Sequence, residues 1–425
     1  MDFSKVEKVT LENGFRVMML GDESSRSVSV SLWVGSGTRL ERPEDGGVSH
    51  FIEHMLFKGT HKRTAMDIAE ETDYIGGNFN AYTSKEHTCI YARALSSHLG
   101  LVLDIMGDMV TNSKLAPEDI ETERGVILEE IGMYEDSPED VMVDSLYSAV
   151  WDGDMLGANI LGTRETVGSM TAEQLRGHME RQYSPHRMVL AVSGAFDREE
   201  LLKQVEELFG GMKNSGEPYE MKPAVLHNSI TLVKHDFEQT QLCLGFPGIS
   251  AYDENRYELA VLNSICGGSS SSRLFQRIRE QLGLAYSVDS AVVSFAREGL
   301  LTVYGGVSPK NDLDALAEMT RVLCLLKRDG VTEKELDRAR EQIKAGLIMG
   351  LEGNGAASAH MGRSELYERR MLTEDELLER YNSITVDDIN RAAKRFIDFD
   401  NFSLCVVGKV RDEQEYIRVV HDAIF

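Results

Sequence analysis

Apolar and polar positions change period along the chain, and each period predicts an element. Residues 27–34, Ser-Val-Ser-Val-Ser-Leu-Trp-Val, alternate strictly, which predicts a half-buried strand. Ahead of it, 6–10 and 15–20 flank Glu12-Asn13-Gly14 and read as a hairpin with an Asn-Gly turn. A second hairpin is expected from 76–83 and 87–92; two glycines open its first strand, and glycine there often marks close approach by another backbone. Helical spacing predicts helices at 65–74, 99–110, 116–131, 139–150, 171–183 and 198–209, then at 312–328, 333–351 and 374–396. Pro117 and the acids after it suit a helix N-terminus.

The pattern then repeats. Buried strands at 187–194 and 403–408 each end in glycine, and Gly194 and Gly408 stand 214 apart (408 less 194), about half the chain. Strands at 229–233 and 241–246 restart the series after a polar stretch with Gly210, Gly211, Pro218 and Pro223, the best domain boundary in the sequence. The reading is an α+β fold of two homologous domains, 1–212 and 228–425, joined by a linker at 213–227. Each domain is expected to be a largely antiparallel sheet covered by helices.

Against this background one apolar helix carries polar residues that need a reason. In Gly47-Val48-Ser49-His50-Phe51-Ile52-Glu53-His54-Met55-Leu56-Phe57, residues 48, 51, 52, 55 and 56 form an apolar stripe. Asp45-Gly46-Gly47 and Ser49 can supply a turn and a cap. His50 and His54 are one turn apart on one face, with Glu53 at its edge. Two neutral imidazoles make half of a zinc site, and a carboxylate beside them can take a proton from water at the metal. His-x-x-Glu-His is the inverted zinc-protease order. Two core histidines beside a surface glutamate would share this spacing, so a third ligand is required. Glu123 and Glu130 are two turns apart on one face of the 116–131 helix, with Val126 and Ile127 between them, which predicts that the face is inward. Surface glutamates on an acid-rich helix are the bland alternative. Shifting His50 by 214 reaches Ser264-Ile265-Cys266-Gly267-Gly268, so the second copy has no ligand set.

Composition narrows the function classes. The 425 residues exceed one ordinary domain, and 45 Lys and Arg against 70 Asp and Glu give a net charge of −25, which argues against nucleic acid as a partner. Five scattered cysteines with no Cys-x-x-Cys suggest buried free thiols in a reducing compartment. The first residues show no signal or transit pattern, and no run of about eighteen apolar residues occurs, so a cytoplasmic protein without membrane spans is expected. The Ser269–Ser272 run lacks a Gly-x-Ser-x-Gly elbow and is not read as a nucleophile.

His50-x-x-Glu53-His54 followed by Glu123-Arg-x-Val-Ile-x-x-Glu130 resembles the two motifs of the pitrilysin-like inverzincin metallopeptidases, which include insulin-degrading enzyme and the mitochondrial processing peptidase β-subunit. The chain is most similar to short bacterial members of the processing-peptidase branch. The resemblance implies one Zn2+ per chain held by His50, His54 and Glu130, with Glu53 as general base and Glu123 as a supporting carboxylate. It implies substrate contacts from Phe57 and from Asn80 and Ala81 of the Gly-Gly-x-x-Asn-Ala strand. If that strand lies at a sheet edge, an extended peptide can add to it. Arg279 and Tyr286, seven apart before a strand, match a pair that reaches the substrate, where Tyr can stabilise an oxyanion. Members build a chamber from four such domains, so a second chain is implied: a homodimer, or else a heterodimer with a related chain. The activity implied is endopeptidase cleavage of unfolded peptides in that chamber. The rivals are a non-catalytic structural subunit and a peptide-binding, chaperone-like protein of the same fold.

Overall fold

In the computed structural model, residues 2–215, 221–367 and 371–424 are described; residues 216–220 of the expected linker lie outside them. The strands of the first half are β1 (Glu7–Thr10), β2 (Arg16–Gly21), β3 (Ser27–Val34), β4 (Asn78–Thr83), β5 (Thr88–Leu95) and β6 (Met188–Gly194). Those of the second are β7 (Ile230–Lys234), β8 (Thr240–Pro247), β9 (Ala285–Ser294), β10 (Gly299–Val307) and β11 (Ser403–Gly408). The helices needed here are α1 (Val48–Leu56), α2 (Leu99–Asn112), α3 (Pro117–Glu135), α4 (Pro138–Val150), α5 (Ala172–Gln182), α6 (Arg256–Cys266), α7 (Asn354–Tyr367), α8 (Glu374–Ser383) and α9 (Val386–Phe396).

The chain forms two compact units, neither of them contiguous. Unit 1 comprises residues 1–131, 158–220 and 347–374; unit 2 comprises 132–157, 221–346 and 375–425. The sequence pattern suggests one cut at 213–227, whereas α4 belongs to unit 2 and α7 to unit 1. An apolar helix face declares that it needs a partner but not which sheet supplies it.

In unit 1 the sheet order is β1-β2-β6-β3-β5-β4, with β2 and β6 parallel and the other neighbours antiparallel. One face buries Val28, Val30, Leu32 and Leu190 with Phe51, Ile52 and Met55 of α1 and Leu103 and Met106 of α2. The other buries Met18, Leu20, Trp33 and Ala191 with Ala357 and Met361 of α7. β3 is therefore covered on both faces, where alternation predicts one. Ser31 Oγ on this second face lies 2.7 Å from Ser358 Oγ, so its hydroxyl is satisfied by α7 instead of water. Arg16 and Lys8 pair with the buried Glu365 of α7 at 3.1 and 2.7 Å.

Unit 2 has the order β7-β11-β8-β10-β9, with β7 and β11 parallel. Leaving β1 aside, this repeats the unit 1 order strand for strand. Gly194 and Gly408 close equivalent strands with φ of +124° and +126°. Thr171 and Thr385 both begin helices with reciprocal capping boxes. α4 covers the unit 2 sheet, with Met142 and Leu146, and Trp151 at its C-terminal end, against Cys243, Cys405 and Val407. The helix expected over 374–396 is two helices, α8 and α9, because Thr385 accepts a hydrogen bond from the Asp388 N–H and starts a new one. Four cysteines are buried free thiols; Cys324 is only partly buried, unlike the expectation for all five.

Candidate metal centre

The helix bearing the two histidines starts at Gly47, whose φ of +90° favours glycine and where a Cβ would stand 2.5 Å from the Leu161 carbonyl oxygen. Ser49 does not cap it. The buried Glu41 carboxylate does, accepting from the N–H groups of Gly47 at 2.7 Å and Ser49 at 2.8 Å. Burial pushes the Glu41 carboxyl up to about 7, and these hydrogen bonds work against that shift. The apolar stripe of α1 is fully buried, which leaves His50 and His54 along the side facing α3.

His50 Nε2 and His54 Nε2 lie 3.6 and 3.5 Å from Glu130 Oε2. These three residues offer ligand atoms all within 4.8 Å of one another. The imidazole centroids are 4.7 Å apart with planes at 68°. Burial, and secondarily His54, pushes His50 down to about 4, so its ring is neutral at pH 7 and keeps a lone pair. His50 Nδ1 is buried with no hydrogen-bond partner among the described residues. Ligand atoms at about 2.0–2.1 Å around a tetrahedral zinc stand about 3.4 Å apart, and two imidazoles with one carboxylate leave a fourth position open. The donor set therefore fits zinc in both chemistry and spacing.

Glu123 is buried at 3% exposure, its Oε2 3.0 Å from His54 Nδ1. A proton on Nδ1 leaves Nε2 of His54 as the acceptor facing Glu130. The face shared by Glu123 and Glu130 is not wholly inward: Ile127 is buried, but Val126 is 47% exposed. Glu53 accepts a hydrogen bond from Thr83 Oγ1 at 2.6 Å. Burial raises the Glu53 carboxyl; the Thr83 bond and His54 oppose this, while Glu130 adds to it.

The remaining predicted positions divide. Phe57 is partly buried against the unit 1 core, its ring edge-on to Phe79 at 6.2 Å. Asn80 is exposed, Ala81 is buried, and the Ala81 N–H donates to Asn80 Oδ1 at 2.9 Å. Their strand, β4, is an edge of the sheet, paired among the described residues only with β5. Gly77 is explained by that pairing, since a Cβ there would overlap the Arg93 carbonyl of β5. In unit 2, Arg279 lies in a π-helical turn, Phe275–Gln281. Its guanidinium stacks 4.7 Å from the Phe275 ring and 4.8 Å from that of Tyr286, which is 78% exposed. The pairings of Glu41 with the start of α1, of Thr83 with Glu53, and of Lys58, just after α1, with Glu123 have no signal in the sequence, because each pair meets only through the tertiary fold.

A duplicated α+β unit, with a His-x-x-Glu-His helix and a facing glutamate in one copy alone, defines the pitrilysin-like class. Residues 16–164 match the family model described as insulinase (peptidase family M16), and residues 169–343 match the peptidase M16 inactive domain. An uncharacterised zinc protease of Bacillus subtilis is 40% identical over 404 residues, covering 95% of this chain and 98% of that one. Another from Mycobacterium leprae is 40% identical over 406 residues, covering 94% and 91%. A protease of Helicobacter pylori superposes with a TM-score of 0.88 at 20% identity, over 95% of this chain and 99% of that chain. A chain of Complex III2 from Candida albicans gives 0.85 at 21%, over 98% and 99%. The chain belongs to peptidase family M16, and its relatives support a peptidase-like function. Among the described residues, no helix is long and apolar enough to cross a membrane.

Proposed function

We propose that this chain is a zinc-dependent endopeptidase that cleaves unfolded peptides held in extended form, within a chamber completed by a second copy. The observation that carries the reading is the convergence of His50, His54 and Glu130 with Glu53 beside them. When bound there, one zinc per chain supplies a Lewis acid that acidifies water and polarises a peptide carbonyl. An extended peptide adds to the open side of β4 through main-chain hydrogen bonds, next to Asn80 and Ala81. Phe57 is taken as lining the groove. Glu53 accepts the proton of the attacking water and returns it to the leaving amine. Glu123 steadies His54. Arg279 and Tyr286 act as substrate contacts, the cation held between two aromatic rings.

The test is a quenched-fluorescent peptide library digested with and without chelator. Cleavage is expected to vanish on chelation and to return with added zinc. Glu53→Gln should abolish cleavage while metal analysis still finds about one zinc per chain. Chelator-resistant cleavage, or activity retained in E53Q, would remove the mechanism. No cleavage of any peptide by zinc-loaded protein would favour a structural subunit or a peptide-binding protein. Light scattering should give twice the chain mass of 47.5 kDa. Full activity at the monomer mass would exclude the homodimer, and a heterodimer would appear as an obligatory related chain.

A further inference from the structure

We propose that Lys58 is a positioning residue of the metal centre: its ammonium holds the Glu123 carboxylate in place to accept the hydrogen bond from His54 Nδ1. This rests on the zinc reading above. Lys58 Nζ lies 2.6 Å from Glu123 Oε1, and His54 Nδ1 lies 3.0 Å from Oε2, so each carboxylate oxygen has its own partner. The carboxylate is 4% exposed, and a charge so buried is costly unless a counter-charge sits beside it. His54 cannot supply that charge, because an imidazole that ligates a metal is neutral. Lys58 is the cation paired with Glu123 among the described contacts.

The chain path makes this a brace between two helices. α1 ends at Leu56, Phe57 caps it, and the Lys58 N–H donates back to the Met55 carbonyl oxygen at 3.1 Å. The Lys58 side chain then reaches α3 at Glu123, two turns before Glu130. α1 thus supplies two ligands and is followed at once by the cation, while α3 supplies the third ligand and the carboxylate. Two points of contact fix the height and rotation of one helix against the other, and with them the tautomer and ring plane of His54. A surface lysine pair would contribute little, but here the acid is buried even though the lysine side chain is 35% exposed.

The experiment measures zinc affinity by competition with a fluorescent chelator, alongside thermal unfolding of the metal-free protein. Lys58→Met keeps the apolar stem and removes the charge. It should weaken zinc binding by about 10- to 100-fold, the usual cost of losing an outer-shell partner. Lys58→Arg should restore binding to within a few-fold of wild type. In a double-mutant cycle, K58M added to E123Q should cause no further loss, because the lysine acts only through that carboxylate. Should K58M fail to fold, Lys58→Gln carries the same comparison. Zinc affinity in K58M equal to wild type, or losses in K58M and E123Q that add fully, would overturn the role of Lys58 and leave the zinc site standing. A wild-type chain that takes up no zinc would instead overturn the site itself.

Discussion

Thr83 decides how Glu53 can work. One carboxylate oxygen is tied to the threonine hydroxyl at 2.6 Å, which leaves the other to meet water. Thr83 also closes β4, so the strand proposed to receive the peptide and the proposed base are joined through one side chain. Thr83→Val should lower kcat by about 10-fold or more, the loss expected for a hydrogen bond to a charged group. KM and zinc content should change little, and Thr83→Ser should retain most of kcat. Steady-state kinetics on one fluorogenic peptide checks this, and an unchanged kcat in T83V would show that Glu53 needs no such tether. That His50 and His54 share one helix face, and Glu123 and Glu130 another, is legible from helical spacing. That the two faces meet is implied in the sequence only by the resemblance of the paired motifs to a known family. Thr83, Glu41 and Lys58 are not legible there. Each is an ordinary polar residue whose partner lies on another element, and spacing says nothing about which hydroxyl or amine arrives there.

Elements follow the sequence wherever one period governs them and depart from it where a second layer intervenes. The serines of β3 read as a solvated face; α7 packs over them, and Ser31 exchanges a hydrogen bond with Ser358 there, while Asn354 of α7 bonds Ser193 of the neighbouring β6 and Ser25 just before β3. The 374–396 periodicity runs through a break because Thr385 restarts the helix without disturbing the apolar spacing. The start of α1 is the sharpest case, since its cap is a glutamate six residues before Gly47. Glu41 has its carboxyl raised from an ordinary value near 4.5 to about 7. The folded state therefore binds more protons than the unfolded chain between those values, and this group's contribution to stability falls as pH rises through that window. The loss is of the order of 3 kcal/mol, from about 1.4 kcal/mol for each pKa unit. Urea unfolding of the metal-free protein at pH 5 and pH 7 should show the decline, and Glu41→Gln should flatten it. Equal slopes in both proteins would mean that Glu41 does not titrate with folding.

Across the whole molecule, the duplication is legible from two glycines 214 apart (408 less 194) and is visible in the repeated strand order. The crossing of α4 and α7 between units is not: the apolar face of α4 does not say which sheet it covers, and 354–367 is not among the helices that spacing predicts, since the buried side of α7 mixes Ala357 and Met361 with Asn354, Ser358, Gly362 and Glu365. A chain of residues 1–220 would contain β1 to β6 but lack 347–374, and so would bare Met18, Leu20, Trp33 and Ala191 to water. Alone, it should show no cooperative thermal transition. Co-expressed with 221–425, it should be recovered as a folded, zinc-binding pair. A sharp transition for 1–220 by itself would mean that the sheet needs no backing from α7. Genetic damage should therefore be felt far from where it is written. A stop codon that removes everything beyond residue 346 spares every proposed ligand and both motifs, yet it strips the rear support from the sheet on which the histidine helix rests.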